Sequence, residues 1–442
     1  MTWPAYSEYR ESAIPGVREI PTEWSPVRMD KHLRYVKKPV SPETLVDVEV
    51  FHYSIPVVQA TGTGAVEDGS TIDSNKFTID QELLLVSKLN PRKATVCLAV
   101  PDGRLTVCST EFVPLASLDL DMGFARYVVT SEPYRQRLES LVESATRSHQ
   151  RVNPSEVYRF WWAIPSVTVQ RKVAAFLDRE TARIDAVIGK QEQLIATLRE
   201  DRTATITHAV TKGLNPDVNM RDSGVRWLGE VPAHWAVHRI KHSVESARNG
   251  IWGSDPDGGI EDIRCVRVAD FDRPRLTIHD RDVTFRKVTA SERKNRVLHR
   301  GDLLLEKSGG GDKNPVGFVA LYDSDEPAVC SNFVARVELS PGQHPKFWTY
   351  VHHCLYSSRL TYPSIKQNTG IQNLDQQSYF NERAGFPPMK EQSEIVTFLD
   401  ERCERIDALI AKADAVIDTL REYRSALITD AVTGKIDVRG AA

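Results

Sequence analysis

Two long stretches of the chain carry hydrophobic residues at the spacing of helices that pack against a partner helix. In the second stretch, aliphatic residues fall at multiples of seven positions, at Leu399, Ile406, Leu420 and Leu427. We expect Leu409 and Val416 to fill the intermediate positions of the same seam. A repeat that averages 3.5 residues requires a partner, because the apolar stripe of an isolated helix stays in contact with water.

The first stretch follows the same pattern, although Gln191 interrupts it at one seam position. Its predicted seam residues are Leu177, Ile184, Val187, Leu194 and Leu198. Isoleucines beside the two seams widen the apolar stripes, so we expect a second contact along these flanks. The flanking residues are Ile188, Ile195, Ile410 and Ile417.

The two stretches are copies of one another. The segment RIDAVIGKQEQLIATLRE begins at Arg183, and RIDALIAKADAVIDTLRE begins 222 positions later, at Arg405. About half of the aligned positions are identical over roughly fifty residues, which hydrophobic periodicity alone does not produce. A weaker echo aligns a Pro-x-x-Trp segment near the start of each half, ending at Trp24 and Trp235. The chain therefore consists of two similar half-molecules.

A tandem repeat can close on itself with pseudo-twofold symmetry, which would make the two helices antiparallel. We therefore predict that the segment from Ile184 to Leu198 packs antiparallel against the segment from Ile406 to Leu420, at the centre of a rod with one variable domain at each end. The alternative is that each helix packs on its own domain. The predicted boundaries are 1–163 and 214–385 for the variable domains, and 164–213 and 386–436 for the helices.

The variable regions mix short apolar strands, such as TVCLAV, GDLLLEK and VGFVAL, with turn residues and short helical pieces. This mixture predicts compact domains that contain both helices and strands. The predicted fold class is therefore α/β, with two α/β domains joined by two long helices that pair as an antiparallel coiled coil in a pseudo-twofold internal repeat.

A polar loop follows the LLL strand of each domain. These strand-end loops are SKLNPRK at residues 87–93 and KSGGGDKNP at residues 307–315. Glycine, lysine, asparagine and serine at a strand end can offer donors to phosphates or base edges, although a solvated hairpin loop has the same composition. Nine basic residues between Arg281 and Lys313 also outnumber the acids there, which is typical of a solvated surface or of one that faces DNA. The candidate DNA-binding residues of the two loops are Lys88, Asn90, Arg92, Lys93, Lys307, Ser308, Lys313 and Asn314.

A second pair of polar loops precedes the long helices. These junction loops are RSHQRVNPSEV at residues 147–157 and NTGIQNLDQQSY at residues 368–379. Glutamine and asparagine can each form two hydrogen bonds to adenine, and arginine can do the same with guanine. The alternative role of such side chains is to satisfy the backbone of a turn. The candidates at and beside these loops are Arg147, Gln150, Arg151, Gln367, Asn368, Gln372 and Asn373, where Gln150 aligns with Gln372 and Arg151 with Asn373.

Composition and charge narrow the class of protein. The chain has 442 residues, of which 41% are hydrophobic and 26% charged, as is typical of a soluble globular protein with several domains. No apolar run approaches the roughly 18 residues of a membrane span, and the first residues do not resemble a signal peptide, so we expect a cytoplasmic protein without a membrane partner. The net charge of −3 argues against binding by bulk electrostatics, so nucleic acid would have to meet local basic groups.

The sequence contains no recognisable motif for catalysis, metals or cofactors. The six cysteines include no Cys-x-x-Cys pair, and neither SGGGDKNP nor QATGTGAVEDG has the spacing of a phosphate-binding or dinucleotide-binding loop. His352 and His353 are adjacent, so they would point apart on a helix and make a poor metal site. We therefore predict no catalytic residue, no metal and no cofactor.

These segments together resemble the specificity subunit of type I restriction–modification systems. The resemblance rests on WLGEVPAHW, on NTGIQNL, and on PPMKEQSEIVTFLDERCERIDALI, which is repeated as IPSVTVQRKVAAFLDRETARIDAVI. It covers nearly the whole chain and is strongest at the two helix junctions. It is weakest in the first variable domain, where RSHQRVN keeps only the glutamine of the Thr-Gly-x-Gln-Asn pattern.

The resemblance implies a non-catalytic subunit with two target recognition domains. Each domain would read one half of a bipartite site in double-stranded DNA. If both domains approach the same side of the duplex, we expect the halves to lie on the order of 10 base pairs apart, centre to centre. The helices would dock methyltransferase subunits, which we expect to number two. The methyl donor and ATP would belong to partner chains, including any restriction subunits.

Two other classes of protein fit the sequence. A coiled-coil adaptor without DNA specificity would bind proteins through its end domains. A divergent DNA methyltransferase or nuclease would hold its own active site. Duplex binding together with a methyltransferase partner distinguishes a specificity subunit from the adaptor, and methylation by the chain alone would identify the enzyme.

Overall fold

The computed structural model describes residues 3–143, 150–311, 313–368 and 370–440. The chain forms two compact units, of which unit 1 comprises Met1–Glu192 and Asp414–Ala442, and unit 2 comprises Gln193–Ala413. Each unit contains one variable region together with a part of both long helices. The division thus runs through the helices, whereas the boundaries predicted from the sequence lie at their ends.

Unit 1 is built from short strands and helices. The strands are β1 (Tyr9–Glu11), β2 (Glu19–Pro21), β3 (Ser25–Arg28), β4 (Leu33–Tyr35), β5 (Pro39–Val40), β6 (Glu49–Tyr53), β7 (Ala65–Asp68), β8 (Lys76–Thr78), β9 (Leu83–Ser87), β10 (Val96–Ala99), β11 (Leu105–Ser109), β12 (Phe112–Ser117) and β13 (Trp161–Ile164). The helices are α1 (Ile55–Thr61), α2 (Met122–Thr130), α3 (Glu132–Ser140), α4 (Pro154–Tyr158) and the first part of α5 (Val167–Lys212).

Two sheets form the body of unit 1, with the strand orders β10-β9-β12-β4 and β5-β8-β11-β6-β7. Strand β9, with the sequence LLLVS, is buried along its whole length and pairs antiparallel with β10 and β12. A short apolar run of this kind is typical of a strand covered on both faces. The first strand-end loop therefore starts from a fixed position in the core.

Unit 2 has a similar set of elements. Its strands are β14 (Met220–Asp222), β15 (Glu230–Pro232), β16 (Ala236–Arg239), β17 (Val244–Asn249), β18 (Asp262–Val266), β19 (Phe271–Asp272), β20 (Thr277–Ile278), β21 (Phe285–Lys287), β22 (Leu303–Glu306), β23 (Val319–Leu321), β24 (Ala328–Cys330), β25 (Val334–Leu339), β26 (Ile365–Asn368), β27 (Ile371–Leu374) and β28 (Arg383–Phe386). Its helices are α6 (Ala290–Arg293), α7 (Pro345–Ser357), α8 (Gln376–Tyr379), the last part of α5 and the first part of α9 (Met389–Val432).

The main sheet of unit 2 has the order β17-β25-β22-β23, and a second sheet has the order β21-β18-β24. Strand β22, with the sequence LLLE, is buried throughout and pairs antiparallel with β23 and β25. It occupies the place in unit 2 that β9 occupies in unit 1. Both units mix helices with sheets, which confirms the predicted α/β class.

The two Pro-x-x-Trp segments, which are weakly similar in sequence, form the same hydrogen bond in the two units. Trp24 and Trp235 are both buried, and the carbonyl of each accepts a bond from an arginine. In unit 1 the donor is Arg10, at 2.6 Å, and in unit 2 it is Arg221, at 2.7 Å. The two Pro-x-x-Trp turns therefore have the same local structure.

In unit 1 the two long helices run antiparallel. Asp185 of α5 pairs with Arg424 of α9 at 2.9 Å, and Glu192 pairs with Arg421 at 3.5 Å. Residue numbers thus fall along one helix as they rise along the other. The helices also share the apolar core of the unit, to which both Ile184 and Leu427 belong.

In unit 2 the other parts of the same helices are also in contact. Arg402 pairs with Asp201 at 3.0 Å, and Arg202 pairs with Asp407 at 3.5 Å. The predicted pairing of the whole segment from Ile184 to Leu198 with its partner segment crosses the division between the units and stays a prediction.

The seam positions differ from those predicted. Exposed fractions of 41 to 49% are found for four predicted seam residues, Val187, Leu194, Leu409 and Val416. Two of the predicted flanking residues are buried instead, Ile195 and Ile417, and the other two, Ile188 and Ile410, are half-buried. Of the remaining seam residues, Leu177, Ile184, Leu399, Ile406 and Leu427 are buried, and Leu198 and Leu420 are half-buried.

This exchange of seam and flank has a simple physical origin. Each intermediate position of the repeat holds two adjacent apolar residues, such as Leu409 beside Ile410. Steps of three then four residues and steps of four then three residues both average 3.5, so either choice produces a continuous stripe. The sequence pattern therefore predicts the stripe but does not decide which of the two neighbours faces inward.

Among the described residues, no helix combines the length and the apolar character that crossing a membrane requires.

Candidate nucleic-acid interface

In unit 2 the strand-end loop lies against the junction loop. The amide of Gly309 donates to the carbonyl of Gln372 at 3.0 Å, and the amide of Leu374 donates to the carbonyl of Lys307 at 2.8 Å. The hydroxyl of Ser308 donates to the Asn373 side-chain oxygen at 2.6 Å. The structure thus brings together two loops that lie more than fifty residues apart in the sequence.

Unit 1 joins its two loops in the same way. The amide of Asn90 donates to the carbonyl of Gln150 at 2.7 Å, and the amide of Val152 donates to the carbonyl of Lys88 at 3.0 Å. These residues stand at the positions of Gly309, Gln372, Leu374 and Lys307 in unit 2. Each unit therefore presents the same frame of paired loops, although the loop sequences differ.

Glycine is required in the unit 2 strand-end loop. Gly309 has a φ of +101°, and a Cβ atom on Gly310 would lie only 2.6 Å from the amide nitrogen of Val316. Unit 1 makes its turn differently, because Asn90 takes a left-handed φ of 49° and Pro91 then begins a short 3₁₀ turn. Asparagine tolerates this conformation better than most residues do.

Gln372 and Asn373 have different environments in the hairpin formed by β26 and β27. Gln372 is only 6% exposed, and its side-chain oxygen accepts a bond from the amide of Val316 at 3.3 Å. Asn373 is exposed and lies opposite Lys366 in the hairpin. This geometry favours the alternative role for Gln372, which is to hold the loop, while Asn373 is accessible to a ligand.

In unit 1, Arg151 is exposed and forms a two-point ion pair with Glu111, at 3.0 and 3.1 Å. A contact to DNA by Arg151 would therefore have to share or replace this partner. Gln150 is half-buried, and its backbone amide donates to the side-chain oxygen of Asn90 at 3.3 Å. Arg147, which the sequence also suggests, lies outside the described residues.

The candidate side chains differ in how far they reach solvent. The exposed candidates are Arg92, Lys93, Arg151, Lys313, Asn314, Gln367 and Asn373. The half-buried candidates are Lys88, Asn90, Gln150, Lys307 and Ser308, and Gln372 is buried. Asn368 lies in β26, beside the turn of the hairpin.

Among the described residues, three of the nine basic side chains between Arg281 and Lys313 form ion pairs with acidic neighbours, namely Arg286, Lys287 and Arg300. Lys287 pairs with Asp257 at 2.7 Å, and Arg300 pairs with Asp325 at 2.9 Å. By contrast, the Lys307 and Lys313 side chains form no ion pair with any described residue. These two lysines also lie in the strand-end loop, which is bonded to the junction loop, so their position suits contact with a phosphate.

Trp252 and Phe333 border the unit 2 strand-end loop and are not among the residues predicted from the sequence. Both line a cavity that also includes Ser308 and Gly309. Both side chains are large and apolar, yet 39% of Trp252 and 46% of Phe333 is exposed to solvent. In the sequence, each of these residues is a single large aromatic in a short segment, NGIWGS or CSNFV. That pattern could have indicated a stacking surface for a base.

The described residues contain no cluster of three or more histidine, cysteine or acidic side chains that could hold a metal. All six cysteines are buried and free, and burial raises the pKa of the Cys265 thiol to about 11. His352 is also buried, and its Nδ1 lies 2.6 Å from the hydroxyl of Tyr379. These groups are parts of the core.

Two curated proteins resemble the chain in sequence. The specificity subunit of the type I restriction enzyme StySPI from Salmonella potsdam is 24% identical over 296 residues, which are 66% of this chain and 59% of that protein. The specificity subunit of the type I restriction enzyme EcoKI from Escherichia coli is 22% identical over 302 residues, which are 66% of this chain and 60% of that protein. The chain resembles type I restriction specificity subunits. This confirms the resemblance that the sequence motifs indicate.

The fold agrees with this resemblance to specificity subunits. A chain in a solved structure of a type I restriction–modification system, described for its complex assembly and conformational transition, matches with a TM-score of 0.70. The match covers 93% of this chain and 98% of that chain at 16% identity, so it establishes similarity of fold alone. No family model matches the chain. The alignments span less than two thirds of either curated specificity subunit.

Proposed function

We propose that the chain is the DNA-recognition subunit of a type I restriction–modification complex, and that each unit reads one half of a bipartite site in double-stranded DNA. The observation that carries this proposal is the frame of paired loops, which recurs in both units with the same backbone hydrogen bonds. A duplicated frame with different side chains is suited to reading two different short sequences.

The chemistry of the loops supports contact with DNA. In unit 2, exposed Lys313 and half-buried Lys307 supply positive charge without a described ion-pair partner, which suits phosphate contacts. Exposed Asn373 and Asn314 supply amides, which can form paired hydrogen bonds to a base edge. Lysine contacts would position the duplex, and amide contacts would provide the sequence preference.

The long helices are proposed to dock methyltransferase subunits, two in number to match the internal repeat. The support is an exposed apolar stripe on α9, where Leu409, Val416 and Tyr423 follow one another at intervals of seven residues and so lie on one face of the helix. Val187 and Leu194 are exposed in the same way on α5. Exposed apolar residues that are aligned on a helix are typical of a binding surface for another protein. The methyl donor, ATP and any restriction subunit would be contributed by partner chains.

The test is to purify the chain with and without its methyltransferase partner and to measure duplex binding and methylation. We expect sequence-specific binding and methylation by the complex, with an affinity that falls as salt rises, and no methylation by the chain alone. Association with the methyltransferase but no sequence preference would favour an adaptor. Methylation by the chain alone would favour an enzyme.

A further inference from the structure

A cavity of about 550 Å³ opens in unit 2 beside the strand-end loop. Its lining includes Trp252, Phe333, Ser331, Glu306 and Ser308. Ser308 is also the residue whose hydroxyl donates to Asn373 of the junction loop. The opening of the cavity therefore adjoins the surface that we propose to meet DNA.

The walls of the cavity can accept a flat ring. The Arg286 guanidinium lies 4.6 Å from the centre of the Trp252 ring, and its Nε donates to the Trp252 carbonyl at 3.0 Å. These contacts hold the indole in place and cover one of its faces. Phe333 and the aliphatic side chain of Val268 complete an apolar lining. Aromatic side chains of this kind stack on the flat face of any nucleobase, whichever base it is.

The largely apolar lining of the cavity also contains two buried polar side chains, Ser331 and Glu306. Ser331 is buried, and its hydroxyl has no hydrogen-bond partner among the described residues. Glu306 is buried as well, and Arg273 donates to its Oε2 atom at 2.7 Å. Burial raises the pKa of Glu306, although Arg273 opposes this effect. A buried hydroxyl without a partner is destabilising unless a ligand or water satisfies it.

We propose that this cavity binds a nucleobase with an exocyclic amino group that has left the base stack of bound DNA. The amino group of cytosine or adenine is a hydrogen-bond donor, which suits the carboxyl group of Glu306 and the free hydroxyl of Ser331. The ring would stack on Trp252 and Phe333. The inference rests on the proposed function, because the base comes from the DNA that unit 2 reads.

Other occupants fit the cavity less well. An apolar side chain of a partner protein would fill the space between the aromatic walls but would leave Ser331 and Glu306 without a new hydrogen bond. A free nucleoside has the same ring chemistry as an unstacked base. The position of the opening beside Asn373 favours DNA as the source, and the experiment distinguishes the two.

The experiment measures binding of the chain, with its methyltransferase partner, to duplexes that carry its recognition sequence. An abasic site is placed in turn at each adenine or cytosine of the half-site that Asn373→Ala alters, and then at each opposing base. At one position we expect removal of the base to weaken binding on the order of ten-fold. Removal of the opposing base should tighten binding several-fold at that position, because unpairing no longer opposes extrusion.

The variants Phe333→Ala and Ser331→Ala should abolish both effects. Ser331→Ala removes a hydroxyl that has no described partner, so its melting temperature should not fall. The matched control is Phe285→Ala, because Phe285 is a similarly exposed phenylalanine of unit 2 that does not line the cavity. This control should retain both abasic effects.

Three other results would overturn the inference, and they can be distinguished from one another. Sequence-specific binding in which no abasic position depends on Phe333 or Ser331 would reject the base cavity and leave the proposed function intact. Absence of any sequence-specific binding would reject the proposed function and the inference together. Saturable binding of adenosine or cytidine that Phe333→Ala abolishes, without an abasic effect in DNA, would reject DNA as the source in favour of a free nucleoside.

Discussion

Neighbouring residues of the unit 2 hairpin have opposite roles, because side chains alternate between the two faces of a strand. Gln372 faces inward and supports the amide of Val316, whereas Asn373 faces solvent. The sequence aligns both with residues of unit 1 but does not say which of the two is accessible. That distinction depends on how the hairpin docks on the strand-end loop.

Replacement of Asn373 should alter specificity, and replacement of Lys313 should alter affinity. We expect Asn373→Ala to relax the preference at one base position by about 1 to 3 kcal/mol if its amide contacts a base edge. Lys313→Ala should weaken binding to all sequences alike and reduce the salt dependence. Binding to a panel of single-base variants at two salt concentrations measures both effects. A uniform loss for Asn373→Ala would contradict the assignment.

His352 should make unit 2 sensitive to acid. Burial lowers the pKa of His352 to about 3 from an ordinary value of 6.5, so the folded protein keeps this ring neutral while the unfolded chain takes up a proton. Stability from this group is therefore complete above about pH 6.5 and decreases as pH falls from there toward the lowered pKa. In denaturant titrations across this range, His352→Gln should show a shallower loss of unfolding free energy than the original chain. Identical slopes would reject this role.

At the scale of secondary-structure elements, the sequence predicts the existence of α5 and α9 well and their inward faces poorly. Periodicity and duplication locate both helices to within a few residues of their observed ends. The inward face depends on which of two adjacent apolar residues meets the neighbouring structure, as with Leu409 and Ile410, and that choice is made by packing. The sequence alignment identifies the loops of the candidate site, but the pairing of the two loops within each unit comes from the fold. The cavity was not, because Trp252, Glu306 and Phe333 are brought together only by the fold.

The exposed stripe and the buried seam of α9 should respond differently to a charge. Leu409→Asp with Val416→Asp should leave the unfolding free energy within about 1 kcal/mol of the original and weaken association with the methyltransferase. Ile406→Asp should lower the unfolding free energy by several kcal/mol, because a buried carboxylate without a partner is strongly unfavourable. Thermal unfolding and co-purification of the two variants measure these effects. Undiminished co-purification of the stable double variant would argue against docking on this stripe.

At the scale of the whole molecule, the same local arrangement of strand, loops and turn occurs once in each unit. Each unit has a buried leucine-rich strand, a polar loop after it, a second loop bonded to the first, and a Pro-x-x-Trp turn with a bound arginine. The loop side chains differ between the units, and so do the second sheets, which have five strands in unit 1 and three in unit 2. Two such units in one polypeptide are expected to give independent preferences for two short sequences.

The most direct test of this account is to map methylated bases in the genome of a host that carries the chain and its methyltransferase partner, for the original chain and for Asn373→Ala. We expect a recognition sequence in two separated parts. We also expect Asn373→Ala to change the preference within one part and to leave the other part unchanged. A contiguous recognition sequence, or a change in both parts, would show that the two units do not read separate half-sites.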